Sequence, residues 1–169
     1  FMKLIDPFVL GHPANLLTRL GRYFYKEVDS IGAGCVVVNN KNQVLLIHRG
    51  DIYNDWTFPK GKTQSKNLEK EALRETFEEV GISPTIVCNL PPNKYSFYID
   101  KQGVRKNNTV HFFLAKTNKL KFSIVNNIDS EEAKTFIEAK WVDLEKSLEL
   151  VSHETERIIL RAAIKALKL

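Results

Sequence analysis

Apolar residues along this chain come in short runs separated by polar turns, and the period of the pattern changes from strand-like to helical and back around residues 65–81. Residues 33–38 are small or β-branched and apolar, Asn39-Asn40-Lys41-Asn42 is polar, and Val44-Leu45-Leu46-Ile47 is apolar again. Two such runs joined by a polar turn predict a β-hairpin. Apolarity at consecutive rather than alternate positions predicts strands covered on both faces. Trp56-Thr57-Phe58 predicts a short strand that stops at Pro59, whose φ is fixed, and turns at Gly61. Ser65 or Asn67 then offers an N-cap for a helix over 68–80, closed by Gly81 at C′. Runs at 85–90, 95–99, 110–115 and 136–142 predict further strands, and about 153–168 predicts a closing helix. Strands interleaved with helices indicate a single α/β domain over 31–169. Residues 1–30, with Leu16, Leu17 and Leu20 at helical spacing, are expected to form an N-terminal extension that packs on it.

On the predicted helix Glu75, Glu78 and Glu79 stand at i, i+3 and i+4, so their carboxylates project from one face, with Glu71 a turn earlier. Leu73, Phe77 and Val80 fall on the other side and are expected to bury against a sheet. Like charges at i,i+4 destabilise an isolated helix by roughly 0.2–0.5 kcal/mol per pair, so the cluster calls for solvent screening or a compensating cation. A solvated acidic face and a site for a hard divalent cation, which prefers carboxylate oxygens, are both consistent with this pattern.

The chain has 169 residues, 43% hydrophobic and 27% charged, which fits one compact domain and excludes disordered, collagen-like and disulfide-scaffold classes. Lys and Arg number 25 against 20 Asp and Glu, and the net charge of +5 admits an anionic partner such as a nucleotide, an inositol phosphate or RNA. Cys35 and Cys88 both lie in apolar β-like runs, as expected of buried thiols in a reducing compartment. No apolar run approaches the ~18–20 residues of a membrane-spanning helix, and the first residues break too early for a signal-peptide core. A cytoplasmic protein with no membrane association is therefore expected.

Gly61 followed by Arg74-Glu75-Thr76-Phe77-Glu78-Glu79-Val80-Gly81-Ile82 resembles the signature box of the Nudix hydrolases. The second half of that box is complete, with Thr76 in the usual aliphatic place. The first half is one residue shorter than the family spacing and carries Lys66 or Asn67 where a Glu is expected. The resemblance extends to Trp56-Thr57-Phe58-Pro59-Lys60-Gly61-Lys62, Tyr95-Ser96-Phe97, Val110-His111-Phe112-Phe113-Leu114-Ala115, Glu138-Ala139-Lys140-Trp141-Val142 and Ser152-His153-Glu154, segments similar to those of family members acting on dinucleoside polyphosphates.

What the resemblance implies is an α/β/α sandwich with a mixed, curved sheet, the box helix on one face and the C-terminal helix on the other. It further implies a phosphoanhydride hydrolase in which Glu75, Glu78 and Glu79, with the backbone carbonyl of Lys60, hold Mg²⁺ or Mn²⁺ against a polyphosphate. Arg74 would orient Glu75 through a charge-assisted hydrogen bond. The general base would be Glu131 or Glu132 from a loop, or Glu79 within the box. Lys60, Lys62, Lys94, Arg105 and Lys106 flank the expected cleft as candidate contacts to the phosphate chain. Tyr95 and Phe97 share a strand face and would either stack a base or pack in the core. His111 is either a core histidine or a phosphate contact. The implied substrate is a diadenosine tetra- to hexaphosphate. RNA 5′ ends and damaged nucleoside triphosphates are alternative substrates, and a nucleotide-binding module with weakened turnover is the alternative class. The sequence carries no signal for oligomeric state.

Overall fold

The computed structural model describes residues 26–50, 54–99, 103–123 and 136–168. Within it the consecutive apolar residues of the first two strands divide between two cores. These strands are β1 (Lys26–Asn39) and β2 (Gln43–Arg49). Ala33, Cys35, Val37, Leu45 and Ile47 pack with Ala72 and Val80 of the helix α1 (Leu68–Val80). Val36, Val38, Val44 and Leu46 turn the other way and pack with Ile159, Leu160 and Ala163 of the helix α3 (Glu154–Leu167). Period-2 alternation thus sends each run to both faces, and helices cover both. This is the expected α/β/α sandwich.

The remaining elements are β3 (Asp55–Thr57), β4 (Lys60–Lys62), β5 (Thr85–Asn89), β6 (Asn93–Ile99), β7 (Val104–Thr117), β8 (Phe136–Asp143) and a short helix α2 (Leu144–Leu150) beside α3. The sheet is mixed, because β1 runs parallel to β7 while the other pairs are antiparallel. Its main path is β3-β2-β1-β7-β5, with β4 on β1, β6 on β7 and β8 on β2. The hairpin strands pair at Val38↔Val44 and then part. Past that point β2 takes β3 as its neighbour, from Ile47↔Thr57 to Arg49↔Asp55, while β1 takes β4, from Gly34↔Lys60 to Gly32↔Lys62. The segment containing β3 and β4 therefore lies in the opening between β1 and β2, and the backbone passes very close to β1. A Cβ on Gly34 would lie 2.5 Å from Lys60 Cβ and 3.0 Å from Lys60 Cα, so only glycine fits.

Helix α1 has the caps its sequence predicts. Asn67 accepts from the Lys70 N–H at 3.0 Å, and Gly81 adopts φ 66° with its N–H bonded to Phe77 O at 2.8 Å. Its buried stripe is Ala72, Thr76 and Val80, and Phe77, expected to bury, is instead 55% exposed. Small residues, Ala72 and Thr76, face the sheet instead, and Thr76 satisfies its hydroxyl on Ala72 O at 2.7 Å. Two strands begin earlier than the apolar runs suggest. Residues 26–31 of β1 and 104–109 of β7 form a largely polar, part-exposed extension of the sheet, held by Arg105 to Glu27 at 3.1 Å and Asn107 to Asp29 at 3.1 Å. Lys60–Lys62 is a strand rather than a turn, and α2 carries too few residues to show a helical period. Residues 16–20, part of the expected N-terminal extension, lie outside the described residues. Among the described residues no helix is long and apolar enough to cross a membrane, and Cys35 and Cys88 are both free, Cys35 fully buried.

Replacing Gly34 by Ala is expected to destabilise the fold by about 1–3 kcal/mol through forced displacement of Pro59 and Lys60. Urea unfolding of the two proteins checks this, and unchanged stability would contradict the close approach.

Candidate active site

Arg74 is the hub of the acidic helix face. Its Nη1 donates to Glu78 Oε2 at 2.7 Å, its Nε and Nη2 to Glu71 Oε2 at 3.1 and 2.8 Å, and Nη2 also reaches Glu75 Oε1. The same Nη2 donates to the Lys62 carbonyl at 3.0 Å, which fastens α1 to β4. Burial alone would loosen the guanidinium proton, but the carboxylates of Glu71, Glu78 and Glu75 outweigh it and hold the proton more firmly than usual. Glu71 has a further task. It accepts from the Gln64 N–H at 2.9 Å and from Ser65 Oγ at 2.8 Å, and so closes the shortened loop between Gly61 and α1. The Gln64 N–H, Arg74 and Ser65 together lower its pKa to about 2.

Glu75 and Glu79 lie against the backbone of β4. A Cβ on Gly61 would overlap the Glu75 carboxylate, so the glycine makes the room that the acid occupies. The Lys60 N–H donates to Glu79 Oε2 at 3.0 Å. That amide is available because the register with β1 is set by its neighbours, Cys35 N–H to Pro59 O at 3.1 Å and Thr63 N–H to Ile31 O at 3.0 Å. In an antiparallel pair alternate residues face the partner strand, so the N–H and C=O of Lys60 face away from β1. Burial pushes Glu79 up to about 8; the Lys60 charge opposes this and Glu75 adds to it. Among the described residues no three His, Cys, Asp or Glu side chains already converge as a cage, since Glu75 and Glu78 bond to Arg74. The donor set nevertheless suits a hard divalent cation, because all its atoms are oxygens.

Behind this face a second polar cluster fills the opening between β1 and β2. Lys60 Nζ lies 3.0 Å from Glu156 Oε1 and also meets Thr57 Oγ1, while Thr57 Oγ1 donates to Glu156 Oε2 at 2.7 Å. Glu156 is 2% exposed. Next to it Asp55 accepts two hydrogen bonds from Arg49, the Nε one at 2.8 Å, and lies 2.7 Å from His153 Nε2. Burial would raise the Asp55 pKa, but His153 and Arg49 outweigh it and hold the carboxyl below the usual carboxylate range.

The structure therefore brings together Arg74, Glu75, Glu78, Glu79 and the backbone of Lys60. It corrects the expectation for the Lys60 side chain, which is committed to Glu156 and Thr57 rather than presented to a phosphate chain. Arg105 is also elsewhere. It pairs with Glu27, lies 5.8 Å over the Tyr98 ring, and is seven residues along β1 from the Gly34↔Lys60 pair, roughly 23 Å at ~3.3 Å per residue. Tyr95 packs against the α3-side core, its ring 6.5 Å from that of Phe97. His111 lines an open pocket with Ile31, Thr63, Gln64, Ser65, Lys66 and Leu68 near the start of α1. Lys62 and Lys94 are exposed, Lys106 is half-buried on β7, and Glu131 and Glu132 lie outside the described residues. Sequence reasoning missed Arg49, Asp55, Thr57 and Glu156. No local spacing signals them, because Thr57 and Glu156 are 99 residues apart.

Residues 29–162 match the family model of the NUDIX domain. Over 158 residues the chain is 29% identical to a Mycoplasma genitalium protein named uncharacterized RNA pseudouridine synthase MG209, covering 90% of this chain and 47% of that protein. Over 63 residues it is 41% identical to the RNA pyrophosphohydrolase of Pasteurella multocida, covering 37% of this chain and 31% of that enzyme. The chain thus spans less than half the length of these relatives. Among solved structures, the MutT protein of Methanosarcina mazei Go1 superposes with a TM-score of 0.65 at 20% identity, covering 85% of this chain and 99% of that one, a likeness of fold.

The depressed Glu71 pKa gives a signed expectation. With a folded value of about 2 against an ordinary 4.5, the carboxylate contributes stability that is full above 4.5 and fades as pH falls toward 2. Urea midpoints of the native protein and Glu71→Gln, compared from about pH 6 down to about pH 3, are expected to differ most at the upper end and converge toward the lower. A gap independent of pH would contradict the ionic role of Glu71.

Proposed function

Because the chain belongs to the NUDIX family, we propose that it is a divalent-cation-dependent hydrolase of phosphoanhydride bonds in nucleoside 5′-polyphosphates. The observation that carries this reading is the placement of two box carboxylates, Glu75 and Glu79, against the Lys60–Gly61 backbone, with Glu78 on the same helix face and 41% exposed. In this reading Glu75, Glu78, Glu79 and the Lys60 carbonyl hold Mg²⁺ or Mn²⁺. The cation supplies charge neutralisation on the phosphate oxygens and lowers the pKa of a bound water. Arg74 is the residue that orients Glu75 and Glu78, and its tie to the Lys62 carbonyl keeps α1 and β4 at a fixed separation. Glu79, as an ionised carboxylate on the acidic helix face, is the described candidate for general base beside Glu131 and Glu132. The hydrolase domain is assigned to 31–169, and residues 26–30 continue its first strand. Its two free cysteines support a cytoplasmic location.

For the substrate, the resemblance of Trp56–Lys62 and of the later strand and helix segments to family members acting on dinucleoside polyphosphates favours diadenosine tetra- to hexaphosphates. A specific observation favours a second reading, RNA 5′-triphosphate ends: the relative that is 41% identical over 63 residues is an RNA pyrophosphohydrolase, and the net charge is +5. Both share a nucleoside 5′-polyphosphate at the reacting end.

Chromatographic separation of the products of diadenosine tetraphosphate (ATP and AMP, or two ADP), of a 5′-triphosphate RNA and of a panel of nucleoside triphosphates (shortened 5′ ends with phosphate or pyrophosphate), with and without Mg²⁺ or Mn²⁺, tests these assignments. Turnover is expected only with the cation and is expected to fall at least about 10²-fold in Glu78→Gln and Glu79→Gln. Tight nucleotide binding without turnover in the native protein would identify a binding module instead, and undiminished turnover in both variants would sink the site assignment.

A further inference from the structure

We propose that Glu156, on the opposite side of the sheet from the acidic helix, is a positioning residue for Glu79 and acts through Lys60. The inference rests on the reading of Glu79 as a cation ligand. Lys60 is joined to both helical layers. Its N–H donates to Glu79 Oε2 of α1 at 3.0 Å, and its Nζ lies 3.0 Å from Glu156 Oε1 in the first turn of α3. The Pro59 carbonyl, in the same peptide group as the Lys60 N–H, accepts from Cys35 N–H at 3.1 Å and holds one end of that peptide to β1. Pro59 has no N–H to donate, and Gly61 has no side chain, its place being taken by the Glu75 carboxylate. The direction of the Lys60 amide is therefore set by this bond to β1 and by the tether of its own side chain.

The tether is built to be rigid. Both oxygens of Glu156 are engaged, Oε2 by the Thr57 hydroxyl at 2.7 Å and Oε1 by Lys60, and Thr57 also meets Lys60 Nζ, so the three side chains close a ring. The side chains of Lys60 and Glu156 are 12% and 2% exposed, so water competes little for either. Glu156 is itself fixed by α3, whose Ile159 and Leu160 are buried in the core. The start of α3 is joined to β3 by Trp56 N–H to Ser152 Oγ at 2.8 Å and Ser152 N–H to Trp56 O at 3.1 Å. The position of α3 is thereby transmitted through one lysine to the carboxylate of α1. This also gives the Lys60 ammonium a use in place of a phosphate contact.

Mn²⁺ binding to the protein without substrate, followed by electron paramagnetic resonance, tests the role alongside kcat and KM. Glu156→Gln is expected to bind Mn²⁺ roughly 10- to 100-fold more weakly and to lose kcat more than it changes KM. Ile159→Val, a core change in the same helix, is expected to leave Mn²⁺ affinity unaltered, which separates positioning from general loosening of α3. Thr57→Val, which keeps both charges, is expected to weaken Mn²⁺ binding in the same direction and serves if Glu156→Gln does not fold. Glu156→Gln added to Lys60→Met is expected to cause little further loss, because the two act in series. Full, independent losses in that double variant would overturn the route through Lys60. Native Mn²⁺ affinity in both Glu156→Gln and Thr57→Val, with Glu79→Gln deficient, would overturn the positioning role while leaving the cation site intact. Native affinity in Glu79→Gln would overturn the cation-site reading and the positioning role with it.

Discussion

The parting of β1 and β2 beyond Val38 and Val44 is the constraint on which the rest of the molecule depends. Two strands that diverge expose backbone donors and acceptors along both inner edges, and buried groups of that kind must find partners. Here β3 satisfies one edge and β4 the other, and both come from a single short stretch of chain. The same opening lets one strand residue touch both helical layers. Lys60 reaches α1 with its backbone and α3 with its side chain for this reason.

Buried charge in this region is arranged by a consistent rule. Asp55 has Arg49 and His153, Glu156 has Lys60, and Glu71 has Arg74, so each acid taken from water is paired and hydrogen-bonded. Among the carboxyls whose affinity for protons is visibly altered, Asp55, Glu71 and Glu154 hold theirs less tightly than usual and Glu79 alone holds its proton more tightly. The exception falls within the acidic helix face that the family signature marks.

Much of this was legible in the sequence where the signal is local. The β1–β2 turn, the Asn67 and Gly81 caps of α1 and the shared face of Glu75, Glu78 and Glu79 all follow from spacings of a few residues. The stripe Ala72, Thr76 and Val80 was not, because helical periodicity places Phe77 acceptably on an apolar side and carries no information on how closely a sheet approaches. The outer halves of β1 and β7 were hidden for the opposite reason: both faces are part-exposed, so polar cross-strand pairs replace an apolar pattern. Arg105 looked adjacent to the site from its place in the chain, yet strand register carries it far along β1. The Thr57–Lys60–Glu156 ring was beyond reach altogether, since it depends on tertiary pairing across most of the domain.

The parallel pairing of β1 with β7 has a bearing on the order of events during synthesis. It joins residues 78 apart, and such long-range closure is entropically late in folding. A chain still emerging from a ribosome can form the β1–β2 hairpin and α1 at once, but β1 lacks its longest neighbour until residue 117 is made, and Lys60 lacks Glu156 for about forty residues more. During that interval the acidic helix exists without the opposite wall that steadies it. Assembly of the acidic face against its opposite wall is thereby coupled to completion of α3.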